Sequence, residues 1–415
     1  MAAGQLFDGE PVIEFSSDRD RRTFLKWAGI IGVGSTLTVL LRSGYVAAQT
    51  EDDDIDILNY VLTLEYLEAD FYERGLGADR LSGRDLALVE PIGAHERAHV
   101  SLITSTVEKL GGTPVEQPSF NYPSGTFGSR DKFLQAAYTF EALGVPAYHG
   151  QVTNFQNGEL LAAAATIAGT ESRHAAILAD LTGQNPFPAL SRSRLPGTRS
   201  CRRPENSSVD KGAHMDRRSF VKGTLVAVPG AVVLQSAPAW AQSPSYGSDI
   251  DILNYALVAE YFLSEFYRRG KVQMSGKGAR YIQSIGDDED GHIAAITQTI
   301  QNLGGSPVQA PGLDYGKALT SQFTFLGFAL RFENLFARAY LGAAPAIQNK
   351  EILQAAAGIY GVEERHAAIV AQLLGREPEG GVYVGAVNEP ADKATVLKAI
   401  EPYLKGAKAA TSGQR

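Results

Sequence analysis

Apolar residues recur at helical spacing through four stretches, near 54–74, 84–110, 130–152 and 158–182, each also rich in Ala, Leu and Glu. The pattern predicts four helices. Gly111-Gly112 ends the second as a C-terminal glycine does. The links between the first and second and between the third and fourth helices are short, which favours antiparallel neighbours. The link over 113–129 carries Pro114, Pro118 and Pro123 and is too long for a tight turn. At roughly 3.3 Å per residue it reaches about 55 Å, whereas a 25-residue helix is about 37 Å long. The chain therefore has enough length to cross the whole bundle between its two helix pairs.

The same pattern then returns. DIDILNYVLTLEYLEADFYERG (54–75) lies against DIDILNYALVAEYFLSEFYRRG (249–270), with 14 of 22 positions identical. IGAHERAHVSLITSTVEKLGGTPV (92–115) matches IGDDEDGHIAAITQTIQNLGGSPV (285–308), and GTESRHAAILADLTG (169–183) matches GVEERHAAIVAQLLG (361–375). Two copies of a long unit are a duplication, not a solenoid. The second copy has Pro307 and Pro311 in its own crossover. The expected fold class is all-α: two four-helix bundles, each with a long crossover between its second and third helices.

The acids and histidines fall into a set. Glu96 and His99 on the second helix, and Glu171 and His174 on the fourth, are three apart and project from one helix face. The first and third helices place Glu65 and Glu141 among apolar neighbours. One Glu from each of two helices, with Glu-x-x-His from each of the other two, is the ligand set of di-iron and di-manganese carboxylate bundles. Copy two holds Glu260, Glu289, His292, Glu333, Glu363 and His366 at matching positions. Neighbouring charges changed between copies: Glu68 meets Leu263, Glu73 meets Arg268, and His95 meets Asp288. Retention of the set amid changed charges favours metal over solvated helix faces, because buried acids need pairing or a cation.

On these motifs the chain resembles the ferritin-like superfamily, specifically its exported ferritin-like domain group, related in fold to rubrerythrins and manganese catalases. The resemblance covers about 54–188 and 249–375. It implies a ferritin-like four-helix bundle with a dinuclear iron or manganese centre in each copy. It gives bridging roles to Glu96, Glu171, Glu289 and Glu363, and terminal or semi-bridging roles to Glu65, Glu141, Glu260 and Glu333. There is no rubredoxin-like cysteine site, so the rubrerythrin electron path is not expected here.

Tyr72 and Tyr267 lie seven residues after the first-helix Glu, and Tyr148 and Tyr340 seven after the third-helix Glu. They share the ligand face, either as hydrogen-bond partners of the ligands or as core tyrosines. His95 and His149 have no histidine counterparts in copy two and are expected at the surface. Pro146 falls inside the third helix, where it should kink it; copy two has Arg338 there.

What precedes each bundle is also repeated. Asp20-Arg21-Arg22-Thr23-Phe24-Leu25-Lys26 leads into an apolar run over 27–41, with a cleavage-like Val46-Ala47-Ala48 beyond it. MDRRSFVKGTLVAVPGAVVLQSAPAWAQ (215–242) has the same anatomy, ending in Ala239-Trp240-Ala241. Charged start, apolar run and small-residue end mark an export signal, and paired arginines mark the twin-arginine route. Both runs fall short of the roughly 18 residues expected of a spanning helix. The expected layout is an export signal over 1–48, a bundle over 49–188, a basic linker over 189–214, a second signal over 215–241, a bundle over 242–375 and a tail over 376–415 that looks like a small docking segment. An export signal in mid-chain is what two adjacent genes would leave on being joined.

Charge and composition narrow the partners. A net charge of -8 and a pI near 5.5 argue against nucleic acid. Cys201 is the single cysteine, so no internal disulfide framework exists. The expected partners are the twin-arginine export machinery and a small-molecule oxidant. Oligomerisation stays open, and membrane anchoring follows only if the internal signal is uncleaved. The expected destination is periplasmic or extracellular. The leading functional expectation is a dinuclear-metal oxidoreductase acting on Fe(II), O2 or peroxide, of ferroxidase or catalase-like type. The alternative is a non-enzymatic metal-binding or stress-protective bundle.

Overall fold

The computed structural model describes residues 12–30, 53–187, 246–270 and 274–405. The expected cleavage site at Val46-Ala47-Ala48, the linker over 189–214 and the internal signal over 215–241 lie outside them.

A short strand β1 (Ile13–Glu14) and helix α1 (Asp18–Ile30) precede the first bundle, which comprises α2 (Asp53–Gly77), α3 (Gly83–Lys109), strand β2 (Ser119–Phe120), α4 (Arg130–Gln151) and α5 (Gly158–Thr182). The second bundle comprises α6 (Asp249–Gly270), α7 (Gly276–Asn302), α8 (Gln322–Ala343) and α9 (Lys350–Leu373), with α10 (Lys393–Ile400) in the tail. The four helices of the first bundle lie within a few residues of the expected ranges. In each copy the first helix packs on the second and the third on the fourth, and α5 packs along α9 so that the two bundles join through their fourth helices. Among the described residues, no helix is long and apolar enough to cross a membrane.

The shared DIDILNY opening is explained by what its polar residues hold. Asp54 accepts hydrogen bonds from Gln156 N and Asn157 N, and Asp249 from Gln348 N and Asn349 N, which fastens the turn between the third and fourth helices to the start of the first. Asn59 accepts from Val115 N at 2.7 Å and Asn254 from Val308 N at 2.8 Å, which pins the start of each crossover. Tyr122 and Tyr315 then anchor the crossovers midway, donating to the carbonyls of Leu67 and Phe262. Apart from β2 in the first crossover and a single 3-10 turn over Gly316–Leu319 in the second, the crossover backbone is irregular, so such side-chain anchors help to satisfy it.

Helix ends follow local chemistry. Asn157 and Asn349 cap the fourth helices by accepting two backbone N–H bonds each. Gly111 and Gly304 take positive φ where the second helices stop. Helix α4 runs from Arg130 to Gln151 with Pro146, the residue expected to kink it, inside.

Helix α1 carries Arg21 and Arg22 at exposed positions and buries Phe24 and Trp27 against the first bundle. Phe24 lies 5.1 Å from the ring of Tyr60, and β1 pairs antiparallel with β2 in the crossover.

Candidate metal centre

The helical spacing turns all twelve expected ligand residues inward, and each is fully buried. In the first bundle Glu65, Glu96, His99 and Glu171 form one group, and Glu96, Glu141, Glu171 and His174 a second. The ligand atoms within each group lie within 4.8 Å of one another. Glu96 and Glu171 belong to both groups. The second bundle repeats this with Glu260, Glu289, His292 and Glu363, and with Glu289, Glu333, Glu363 and His366.

Every one of these imidazoles faces its carboxylates with Nδ1. His99 Nδ1 lies 3.1 Å from Glu65, 3.1 Å from Glu96 and 3.3 Å from Glu171. His174 Nδ1 lies 3.0 Å from Glu96 and 3.3 Å from Glu141, but makes no hydrogen bond. Both oxygens of Glu171, Oε1 of Glu96 and Oε2 of Glu141 also lack hydrogen-bond partners, as do their counterparts in Glu363, Glu289 and Glu333. Buried charged oxygens left unpaired cost several kcal/mol each. Their convergence on shared space is the donor geometry that a pair of hard or borderline divalent cations satisfies.

The four tyrosines hold the outer acids. Tyr72 donates to Glu141 at 2.6 Å, and Tyr148 donates to Glu65. Tyr267 donates to Glu333 and Tyr340 to Glu260. Each bond crosses from one helix pair to the other and fixes the carboxylate rotamer. Aromatic clusters around Phe71 and Phe266, which contact Phe133 and Phe140 or Phe325 and Phe332, pack against Tyr72 and Tyr267.

Burial and mutual repulsion govern the ionisation. Burial lifts Glu65 to about 7, against the pull of His99, and lifts Glu289 to about 7 and Glu333 to about 8. Burial and the neighbouring carboxylates push Glu171 well above the usual range. Glu96 is held low because His174 and His99 outweigh its burial. Without cations, the cluster therefore retains protons that metal binding would displace.

Two expectations fail at the histidines. His95 is buried, not at the surface. Its ring stacks on His174, with Nδ1 2.9 Å from His174 Nε2, and its Nε2 lies 2.9 Å from Glu379. One tautomer assignment satisfies the chain: His95 Nε2–H donates to Glu379, His174 Nε2–H donates to His95 Nδ1, and His174 Nδ1 keeps its lone pair for the cluster. In the second bundle Asp288, the counterpart of His95, lies 3.3 Å from His366 Nε2. The replacement is thus a change of chemistry at one role. His149 is also drawn inward, at the contact between α4 and α9: a Cβ on Gly361 would sit 2.6 Å from its Cε1, and its Nε2 is buried with no partner. Burial, then Arg365, lowers it to about 4. Both failures arise because the covering residues come from the other copy.

That covering is reciprocal. The tail after α9 runs over the first bundle, where Ala386 O accepts from His99 Nε2 and Tyr383 packs 5.3 Å from the His174 ring while donating to Leu88 O. The segment after α5 runs over the second bundle, where Phe187 packs 5.2 Å from the His366 ring. Phe187 and Glu379 occupy matching places, four residues after Gly183 and Gly375. The buried Arg173 joins the copies by pairing with Glu364 and donating to Val382 O and Asn334. The site residues that the sequence did not disclose are therefore His95, Tyr383, Ala386 and Glu379, together with Glu68, which is buried beside the first cluster. For Glu68, the helical register three after Glu65 was the available signal.

No protein of curated function matches the chain. The ferritin-like domain family matches residues 53–184 and 248–376, more than half of the sequence, and its two matches coincide with the two bundles that carry the clusters. The chain therefore belongs to the ferritin-like domain family, of which it carries two tandem domains.

Proposed function

We propose that each bundle holds a dinuclear iron or manganese centre and that the protein is an exported oxidoreductase acting on Fe(II), O2 or peroxide. The observation that carries the metal reading is the convergence of buried, hydrogen-bond-free carboxylate oxygens and imidazole Nδ1 atoms in both bundles. In this reading Glu96 and Glu171 in the first bundle, and Glu289 and Glu363 in the second, belong to both ligand groups and would be shared by the two metals. Glu65 with His99 and Glu141 with His174 would hold one metal each, as would Glu260 with His292 and Glu333 with His366. Two metals of this kind supply paired one-electron changes to a two-electron oxidant. The chain's own part is to hold the ligands, through the four tyrosines, and to keep bulk water from the centre with the aromatic clusters. The twin-arginine patterns at both copies support export of the folded, loaded protein.

Native intact mass of the full chain, loaded with Mn(II) or Fe(II), tests the metal reading. The expected result is at least two ions per bundle, with the first bundle's ions lost in Glu96→Ala/Glu171→Ala. Absence of bound metal from both bundles overturns it. Consumption of peroxide or oxidation of Fe(II) by the loaded chain, abolished when both bundles lose their bridging acids, tests the chemistry.

A further inference from the structure

Each crossover offers one strand edge, and the two bundles close it with different parts of the chain. In the first bundle Asn121 N donates to Val12 O at 2.9 Å, and β1 pairs with β2 so that Ile13 faces Phe120. In the second, Asp314 N donates to Tyr403 O and Lys405 N to Gly312 O, both at 2.8 Å, and Leu404 faces Leu313. The repeat aligns Phe120 with Leu313 and Asn121 with Asp314. Val12 and Ile13 therefore stand where Tyr403 and Leu404 stand, antiparallel to the crossover and in the same register. The tail closes the edge of the second bundle. The segment after α5 runs over the other bundle instead, and the N-terminal segment takes the edge of the first.

The docking extends beyond the strand. Val12, Ile13, Phe24, Trp27 and Ala28 are buried, with Trp27 at 0 % exposure. Phe24 packs on Phe15 and on Tyr60 of α2. Ser16 donates to Glu116 in the crossover at 3.2 Å, and Lys26 pairs with Asp56 at the start of α2 at 3.6 Å. Residues 12–30 are thus tied to the crossover and to α2 at once, while Arg21 and Arg22 stay exposed.

The same residues carry the export pattern. A signal of this kind works through its charged start and the apolar run behind it, and the run begins at Trp27. Trp27 and Ala28 cannot lie against the bundle and enter the export machinery at the same time. In the docked state the arginine pair is displayed and the beginning of the run is covered.

We propose that residues 12–30 form an autoinhibitory strap: docked on the first bundle at the edge that the tail takes on the second, they hold back the export signal, whose apolar run becomes available only on release. This rests on the export reading above. The docking surface exists only once the bundle has folded, so the restraint acts on the folded precursor. Val12 and Ile13 precede both the arginine pair and the run, and they serve the docking alone.

The full chain carrying Trp240→Phe, which leaves Trp27 as its single tryptophan, tests the docking. Trp27 emission should be blue-shifted and resist acrylamide. Val12→Asp/Ile13→Asp on the strap and, separately, Tyr60→Ala on the bundle should move it to the red and raise quenching several-fold. Circular dichroism on the same samples verifies that the helices persist. Trp27 as open to quencher in the parent as in both variants overturns the strap. Pulse-chase labelling in bacteria then tests the restraint. Variants with a released Trp27 should lose the N-terminal segment and reach the exported fraction several-fold faster than the parent. An unchanged or slower rate overturns the proposal. Arg21→Lys/Arg22→Lys should stop processing at this signal. Processing undiminished by that change overturns the export reading of the segment and the restraint with it, whereas Trp27 quenching reports the docking in either case.

Discussion

His99, in the first bundle, donates its Nε2–H to the main-chain oxygen of Ala386, 2.5 Å away on the tail of the second bundle. The hydrogen bond fixes the tautomer whose Nδ1 lone pair faces Glu65, Glu96 and Glu171. A segment 287 residues distant in sequence thus orients a ligand of the first cluster. Tyr383 holds that tail in place, wedged against His95 and His174.

Tyr383→Ala should therefore loosen metal in the first bundle while sparing the second. Partners of this kind are worth roughly 10–100-fold in metal affinity. Competition between the protein and a chelator should resolve two affinity classes in the variant, with only the weaker one displaced from its original value. Equal weakening of both bundles would show that the tail acts through general stability instead.

The join between the bundles makes a second prediction. Arg173 is 1 % exposed and pairs with the fully buried Glu364. Arg173→Met leaves that carboxylate uncompensated and should cost about 3–5 kcal/mol. The double change Arg173→Met/Glu364→Leu removes both charges and should recover most of the loss. Urea denaturation of the three proteins measures this. A double variant no more stable than the single one would place the loss in packing, not in the unpaired charge.

Acid sensitivity at the join is a third. His149 is held to about 4 in the folded chain by burial and by Arg365, against about 6.5 when unfolded. A base with a lowered folded pKa binds fewer protons folded than unfolded. Its contribution is fully present above 6.5 and is lost as pH falls towards 4. The difference is on the order of 3 kcal/mol. His149→Leu, which installs the residue found at the matching Leu341, should flatten the stability profile between those values. Thermal melts across pH 4–7 would contradict this if both proteins fell in parallel.

The sequence by itself determined the helices, the duplication and the inner cluster. Helical geometry makes Glu-x-x-His a same-face pair wherever it occurs, and the repeat separated the retained Glu96, His99, Glu171 and His174 from the charges that changed. The shared DIDILNY stretch also carries, within a few residues, the Asn that pins the start of each crossover and the Asp that fastens the turn between the third and fourth helices. Only the tertiary structure decided which bundle covers which centre. Spacing along a helix states which face a residue occupies, but not which distant segment lies over that face. His95 looked like a surface residue because Glu379, its outer partner, is 284 positions away in the other copy. Leu263 stands at the position of Glu68 in the second copy, and only the packing brings Glu68, with Glu171, against Gly144. Burial and long-range contact are properties of the assembled bundles, so the outer shell of each centre became legible only once the two domains were folded against each other.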